Sequence, residues 1–117
     1  MTQLAQLHLD DAAGITVATV EGEIDLSNAT ELEMAISHAV GNEAVGLALD
    51  LARVDYLDSS GVTLLFNLAR RVARRQQRFA VVVPAEAHVA EILSLSGAPE
   101  ALALYESLDD ALRGLAT

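Results

Sequence analysis

The stretch Leu49-Asp50-Leu51-Ala52-Arg53-Val54-Asp55-Tyr56-Leu57-Asp58-Ser59-Ser60-Gly61-Val62 joins the end of an apolar strand to the start of a helix. Residues 45–51 read Val-Gly-Leu-Ala-Leu-Asp-Leu, an almost unbroken apolar run that suits a central strand covered on both faces. Downstream, Val62, Leu65, Leu68, Ala69 and Val72 recur at helical spacing, which predicts a helix from Ser59 or Ser60 to about Gln77. Asp58, Ser59 and Ser60 are all good N-cap residues, because a short side-chain oxygen can accept a free N–H of the first helical turn. Read locally, Asp58-Ser59-Ser60-Gly61 is a well-made helix start. It also stands at the carboxyl end of a buried strand, the edge where open α/β sheets build their sites. A phosphoryl group on Ser59 would meet helix amides and the positive end of the dipole, and would need no basic residue to hold it. A serine nucleophile would instead call for a Gly-x-Ser-x-Gly elbow, which is absent, and for a base, and no histidine lies near in sequence.

Working outward, the elements follow one another without linker, repeat or low-complexity segment. Residues 4–9 partly alternate and read as a strand, residues 10–14 as a turn, and residues 15–20 as a second strand with Ile15 and Val17 on one face. The short Gly14-containing turn makes the two a hairpin. Residues 22–26 read as a connection. Ser27 or Asn28 opens a helix, Asn28 and Glu31 have capping-box spacing, Leu32, Ala35, Ile36 and Ala39 form its apolar stripe, and Gly41 ends it. Residues 79–83 form another buried strand, closed by Pro84, which suits the first turn of a helix carrying Val89, Ile92 and Leu93. That helix ends near Gly97 and Pro99 blocks its continuation. Residues 102–105 read as a short strand, and Ser107 caps a last helix with Leu108, Ala111, Leu112 and Leu115. This order predicts an α/β fold with a mixed, mostly parallel central sheet of four to five strands and about four helices. Its β-α-β crossovers should be right-handed. One domain is expected to span residues 1–117.

Composition narrows the function classes. Cysteine is absent from the 117 residues, which removes disulfides, thiol nucleophiles and thiolate metal sites. The chain is 52% apolar but only 3% aromatic, so Leu, Val, Ile and Ala must build the core. Neither a signal peptide nor a membrane span is expected, which predicts a soluble cytoplasmic protein. The net charge of −10, from 17 acidic and 7 basic residues, disfavours nucleic acid and anionic lipid as partners.

The stretch from Leu49 to Val62 resembles the signature of the STAS domain, whose stand-alone members are anti-sigma factor antagonists. Gly22-Glu23-Ile24-Asp25 is similar to the family's turn before its first helix. Phe79-Ala80-Val81-Val82-Val83 with Val89, Ile92, Leu93, Ser96 and Gly97 is similar to its fourth strand and third helix, and Leu108-Asp109-Asp110-Ala111-Leu112 to its closing helix. The resemblance covers almost the whole chain and implies the STAS fold. It implies a bacterial, non-enzymatic regulator of transcription that works by partner switching, as in stress response or sporulation. The unphosphorylated form would bind an anti-sigma factor that is itself a serine kinase and so free the sigma factor. Phosphorylation of Ser59, with Ser60 as the secondary candidate, would end the complex, and a phosphatase would reset it. Glu23, Asp25, Asp58, Ser59, Ser60 and Gly61 would form the partner surface, with no cofactor, no metal and a monomer or weak dimer. The alternative is a cytoplasmic STAS accessory subunit of a lipid-transporting ATPase complex, although the intact Asp-Ser-Ser-Gly segment favours the antagonist.

Other features have plainer readings. Arg70, Arg71, Arg74, Arg75 and Arg78 cluster near the end of the second helix, where cations complement the dipole. They read as a solvated face that would also suit an acidic partner. His8, His38 and His88 lack ligand spacing. Asp10-Asp11 and Asp109-Asp110 fit a turn and a helix start.

Overall fold

The computed structural model describes residues 5–116. Their elements run β1 (Ala5–Ala12), β2 (Ile15–Ile24), α1 (Ala29–Ala39), β3 (Gly46–Leu57), α2 (Ser59–Arg74), β4 (Arg78–Val82), α3 (His88–Ser94), α4 (Ala98–Ala101), β5 (Leu104–Tyr105) and α5 (Leu108–Ala116). The strands form one sheet in the order β1-β2-β3-β4-β5. β1 pairs antiparallel with β2, and every other neighbouring pair is parallel. The expected mixed, mostly parallel sheet is therefore present. The added helix is the four-residue α4, with Pro99 in its first turn; α3 has already ended at Ser94, so Pro99 starts a helix instead of ending one.

Side-chain alternation along β3 explains the two-sided core. Leu47, Leu49 and Leu51 are fully buried on the face packed by α1, α2 and α3, with Val20, Ile36, Leu65, Leu68 and Leu93. Ala48 faces the other way with Ile15, Ala80 and Val82, under Ala111 and Leu115 of α5. Small residues at 48, 80 and 111 let α5 approach the sheet closely, so the buried central strand inferred from the apolar run holds both layers together.

Several boundaries differ from the sequence reading. Leu4, placed in the first strand, lies outside the described residues. β1 and β2 continue to a two-residue turn, Ala13-Gly14, with both residues at positive φ (53° and 87°). This is the hairpin geometry whose twist matches that of the strands. Residues 22–24 belong to β2 and not to a connection, because β3 itself continues to Leu57 and pairs with them. The second half of β3 was hidden by Asp50, Arg53 and Asp55; only Val54 and Leu57 there are buried. Two register shifts, between Thr19 and Glu21 and between Gly22 and Glu23, give β3 more residues than its partner over this span. Such bulges bend and twist a strand, which directs the ends of β2 and β3 together. α2 ends at Arg74, with Gln76 at positive φ (60°), and Gln77 instead donates its side-chain amide to the carbonyls of Gly41 and Ala44. Pro84 precedes α3 by a turn, its carbonyl accepting from Ala87 N, so it lies outside that helix.

Candidate functional site

The carboxyl ends of β2 and β3 carry the residues singled out from the sequence. Ile24 is in register with Leu57, and Glu23 with Tyr56. Past the last pair, Asp58 N donates to Ile24 O at 3.2 Å, which stitches the turn after β2 to the start of α2. Glu23, Asp25, Asp58, Ser59, Ser60 and Gly61 are thereby gathered on one edge of the sheet.

Asp58 is the N-cap of α2. Its Oδ1 accepts from Ser60 N at 2.8 Å and Gly61 N at 3.2 Å, and its carbonyl accepts from Val62 N at 3.1 Å. This corrects the expectation that helix amides stand ready for a phosphoryl group: two donors of the first turn are already held by the Asp58 carboxylate. The two serines are not equivalent. Ser59 is exposed, whereas Ser60 is half-buried with its N–H engaged. Gly61 is buried, and a Cβ there would lie 2.8 Å from Leu57 Cβ and 3.3 Å from Ile24 Cγ2. Its contribution is steric: it lets α2 begin against the ends of both strands, beneath the surface that the serines present.

Asp25 builds the opposite wall. Its Oδ1 accepts from Ser27 N at 2.9 Å and Ser27 Oγ at 2.6 Å, while its carbonyl accepts from Asn28 N and Ala29 N. Asn28 precedes α1, but its side chain does not cap that helix. Its Oδ1 accepts from Asp25 N and its Nδ2 donates to Glu23 O, so it braces the turn backwards. The predicted capping box with Glu31 is therefore not formed. Glu23 is exposed, and among the described residues its carboxylate makes no hydrogen bond or ion pair.

A groove of about 200 Å³ lies between the two walls, lined by Leu26, Thr30 and Glu33 on one side and Ser59, Ser60 and Thr63 on the other. Leu26 is 82% exposed and lines this groove beside the serines. Sequence reading assigned it no role. Its signal was a lone aliphatic residue between Asp25 and Ser27 in an otherwise polar turn. Tyr56, next to the site on β3, is also exposed.

A STAS domain model matches residues 6–111. The chain belongs to the STAS domain family. The anti-sigma-F factor antagonist RsfB of Mycobacterium tuberculosis is 31% identical to this STAS domain over 105 residues, which cover 90% of this chain and 84% of RsfB. The crystal structure of an anti-sigma factor antagonist from Mycobacterium paratuberculosis has a TM-score of 0.86 at 31% identity, over 97% of this chain and 95% of that one. The Bacillus cell fate determinant SpoIIAA, solved in its phosphorylated form, shares the fold with a TM-score of 0.68 at 19% identity, over 94% and 99% of the two chains.

The histidines of this STAS domain are dispersed. His8 Nε2 lies 2.9 Å from Glu21 on the sheet, His88 lies 3.6 Å from Glu91 on α3, and His38 is exposed on α1. Among the described residues, no three His, Asp or Glu side chains are grouped to hold a metal ion, and no helix is long and apolar enough to cross a membrane. Ser107 Oγ accepts from Asp110 N at 3.2 Å and caps α5 as expected. The guanidinium of Arg113 and then the Ser107 hydroxyl hold the Asp110 carboxyl below its ordinary value.

Proposed function

We infer that this STAS domain is an anti-sigma factor antagonist whose binding surface surrounds Ser59, and that phosphorylation of Ser59 by the bound anti-sigma factor, a serine kinase, switches it off. The observation that carries this reading is the contrast at the start of α2. Ser59 is exposed at a helix start capped by Asp58, while Ser60 is half-buried. A kinase needs an acceptor hydroxyl that enters its site without unfolding the substrate, and Ser59 meets that condition. The relatives named as antagonists support the biological role.

The chemistry of the switch follows from local charge. A phosphoserine adds roughly −1.5 to −2 charges at neutral pH. At Ser59 it would stand beside Asp58, near Glu23 and Asp25, and among the described residues none of these three makes an ion pair with an arginine. Asp58 already accepts from the Ser60 and Gly61 amides, so fewer donors of the first turn are left to draw the phosphate into the helix. The modification therefore changes the field and shape of the face without refolding the domain, and a change of about 1.4 kcal/mol is enough to alter partner affinity tenfold. A phosphatase acting on the exposed phosphoserine restores the binding form, and the cycle runs in the cytoplasm without a cofactor.

The test is to capture the anti-sigma factor with the tagged chain, produce it recombinantly, incubate the two with ATP and map the modification by mass spectrometry. Phosphate on Ser59 is expected. Modification confined to another residue, or capture of a transporter ATPase in place of an anti-sigma factor, overturns this reading.

A further inference from the structure

Five of the seven arginines fall at positions 70, 71, 74, 75 and 78 of a chain with net charge −10. Three of them, Arg70, Arg71 and Arg74, line a polar groove of about 310 Å³ with Glu33 and Asn67. The helix dipole accounts for cations in the last turn of α2 but not for their arrangement. Arg75 is directed elsewhere, its Nη1 donating to Val40 O at 2.8 Å. Glu33, with 14% of its side chain exposed, accepts from Arg71 Nε at 3.0 Å and from Asn67 Nδ2 at 2.9 Å. Asn67 in turn accepts from Arg70. These contacts brace two guanidinium groups over the seam between α1 and α2. Arg74 makes no hydrogen bond or ion pair among the described residues.

Glu33 and Asn67 also line the groove in front of Ser59 and Ser60. The two grooves form one strip along a single face of α2, because Ser60, Thr63, Asn67, Arg71 and Arg74 follow one another at intervals of three and four residues. From Ser59 to Arg74 the strip is about 22 Å long at 1.5 Å per residue. One interface of ordinary size, roughly 800 Å² on each partner, covers that distance.

We propose that Arg70, Arg71 and Arg74 are a second docking region for the partner that engages Ser59, and that the partner brings to it an acidic segment rich in Asp or Glu. The proposal rests on the reading of the Ser59 face as the partner surface. An acidic segment is repelled by most of a surface carrying ten net negative charges and is attracted at this strip, which both speeds encounter and sets the orientation in which Ser59 meets its kinase. Nucleic acid fits less well: a polyanion would run past three arginines onto acidic surface, and a chain with 3% aromatic residues offers little for bases to stack on.

The experiment measures association and dissociation rates between the recombinant anti-sigma factor and three forms of the chain: wild type, Arg70→Gln/Arg74→Gln, and Arg74→Glu. Arg71 is kept so that Glu33 stays paired, and thermal melting verifies that each form is folded. At about 50 mM NaCl association should slow about fivefold in the double variant and more in the charge reversal, with dissociation little changed. At about 500 mM NaCl the differences should shrink below about twofold, because salt screens the attraction. Unchanged association at low salt, with Ser59→Asp still weakening the complex, overturns the docking region and leaves the antagonist reading intact. If Ser59→Asp has no effect either, both readings fail. Binding of a single-stranded oligonucleotide that is lost in Arg74→Glu would overturn the acidic protein partner in favour of nucleic acid.

Discussion

Ser59 and Gly61 are two residues apart and answer to different constraints. Ser59 is exposed, so replacing it changes what a partner meets and little else; Ser59→Asp should leave the melting temperature within about 2 °C of wild type, as is usual for surface positions. Gly61 is wedged against Leu57 and Ile24, and Gly61→Ala should destabilise the domain by about 1–3 kcal/mol through overpacking, read as a lower denaturant midpoint. Leu26 is a third case. Its side chain contributes almost nothing to the core, so Leu26→Ala should leave stability nearly unchanged while weakening the anti-sigma factor complex by about 1–2 kcal/mol, a loss measurable by titration calorimetry. Asp58, Ser59 and Gly61 were legible in the sequence because their residue types announce a helix start. Leu26 was not, since the exposure of one leucine depends on how the turn after β2 meets the start of α2, a contact that includes the Asp58 to Ile24 hydrogen bond between residues distant in sequence.

At the scale of elements, local pattern located nearly every helix and strand but misjudged where some of them stop. The apolar half of β3 was plain, whereas its polar half is a strand because β2 pairs with it, and pairing leaves no periodic mark when one residue in three is buried. The same holds for Asn28, whose spacing to Glu31 mimics a cap although its side chain is drawn to Asp25 and Glu23 by the turn. The true cap, Asp58 on α2, should be costly to lose: Asp58→Ala removes the acceptor for two N–H groups and should lower stability by about 0.5–2 kcal/mol, seen in thermal unfolding. The β1–β2 turn offers the opposite change. Ala13 sits at φ 53°, where a Cβ is disfavoured, and Ala13→Asn should raise stability by about 0.5–1 kcal/mol in chemical denaturation without touching the site.

For the molecule as a whole, the sheet separates the core from the Ser59 edge. Its middle is buried under α1, α2 and α3 on one face and α5 on the other, and the ends of β2 and β3 carry the Ser59 surface beyond that core. A charge added at this edge has no core to disrupt, so the proposed switch would act on association and leave the fold in place. The overall charge of −10 fits the same proposal: on an acidic domain, one basic strip next to Ser59 would favour an acidic partner segment there. The class of fold was legible in the order of elements, and the helix start at Ser59 in one stretch of sequence. The joining of the Ser59 groove to the arginine groove was not, because it depends on the packing of α1 against α2 through Glu33 and Asn67.

The central claim is that the phosphorylation state of Ser59 decides whether the anti-sigma factor is bound. Its most direct test is the dissociation constant of the purified anti-sigma factor for the unmodified chain and for the chain carrying phosphate at Ser59 alone, measured at the same salt concentration. The account predicts binding at least about tenfold weaker for the phosphorylated chain, corresponding to 1.4 kcal/mol or more. Equal affinities for the two forms would contradict it.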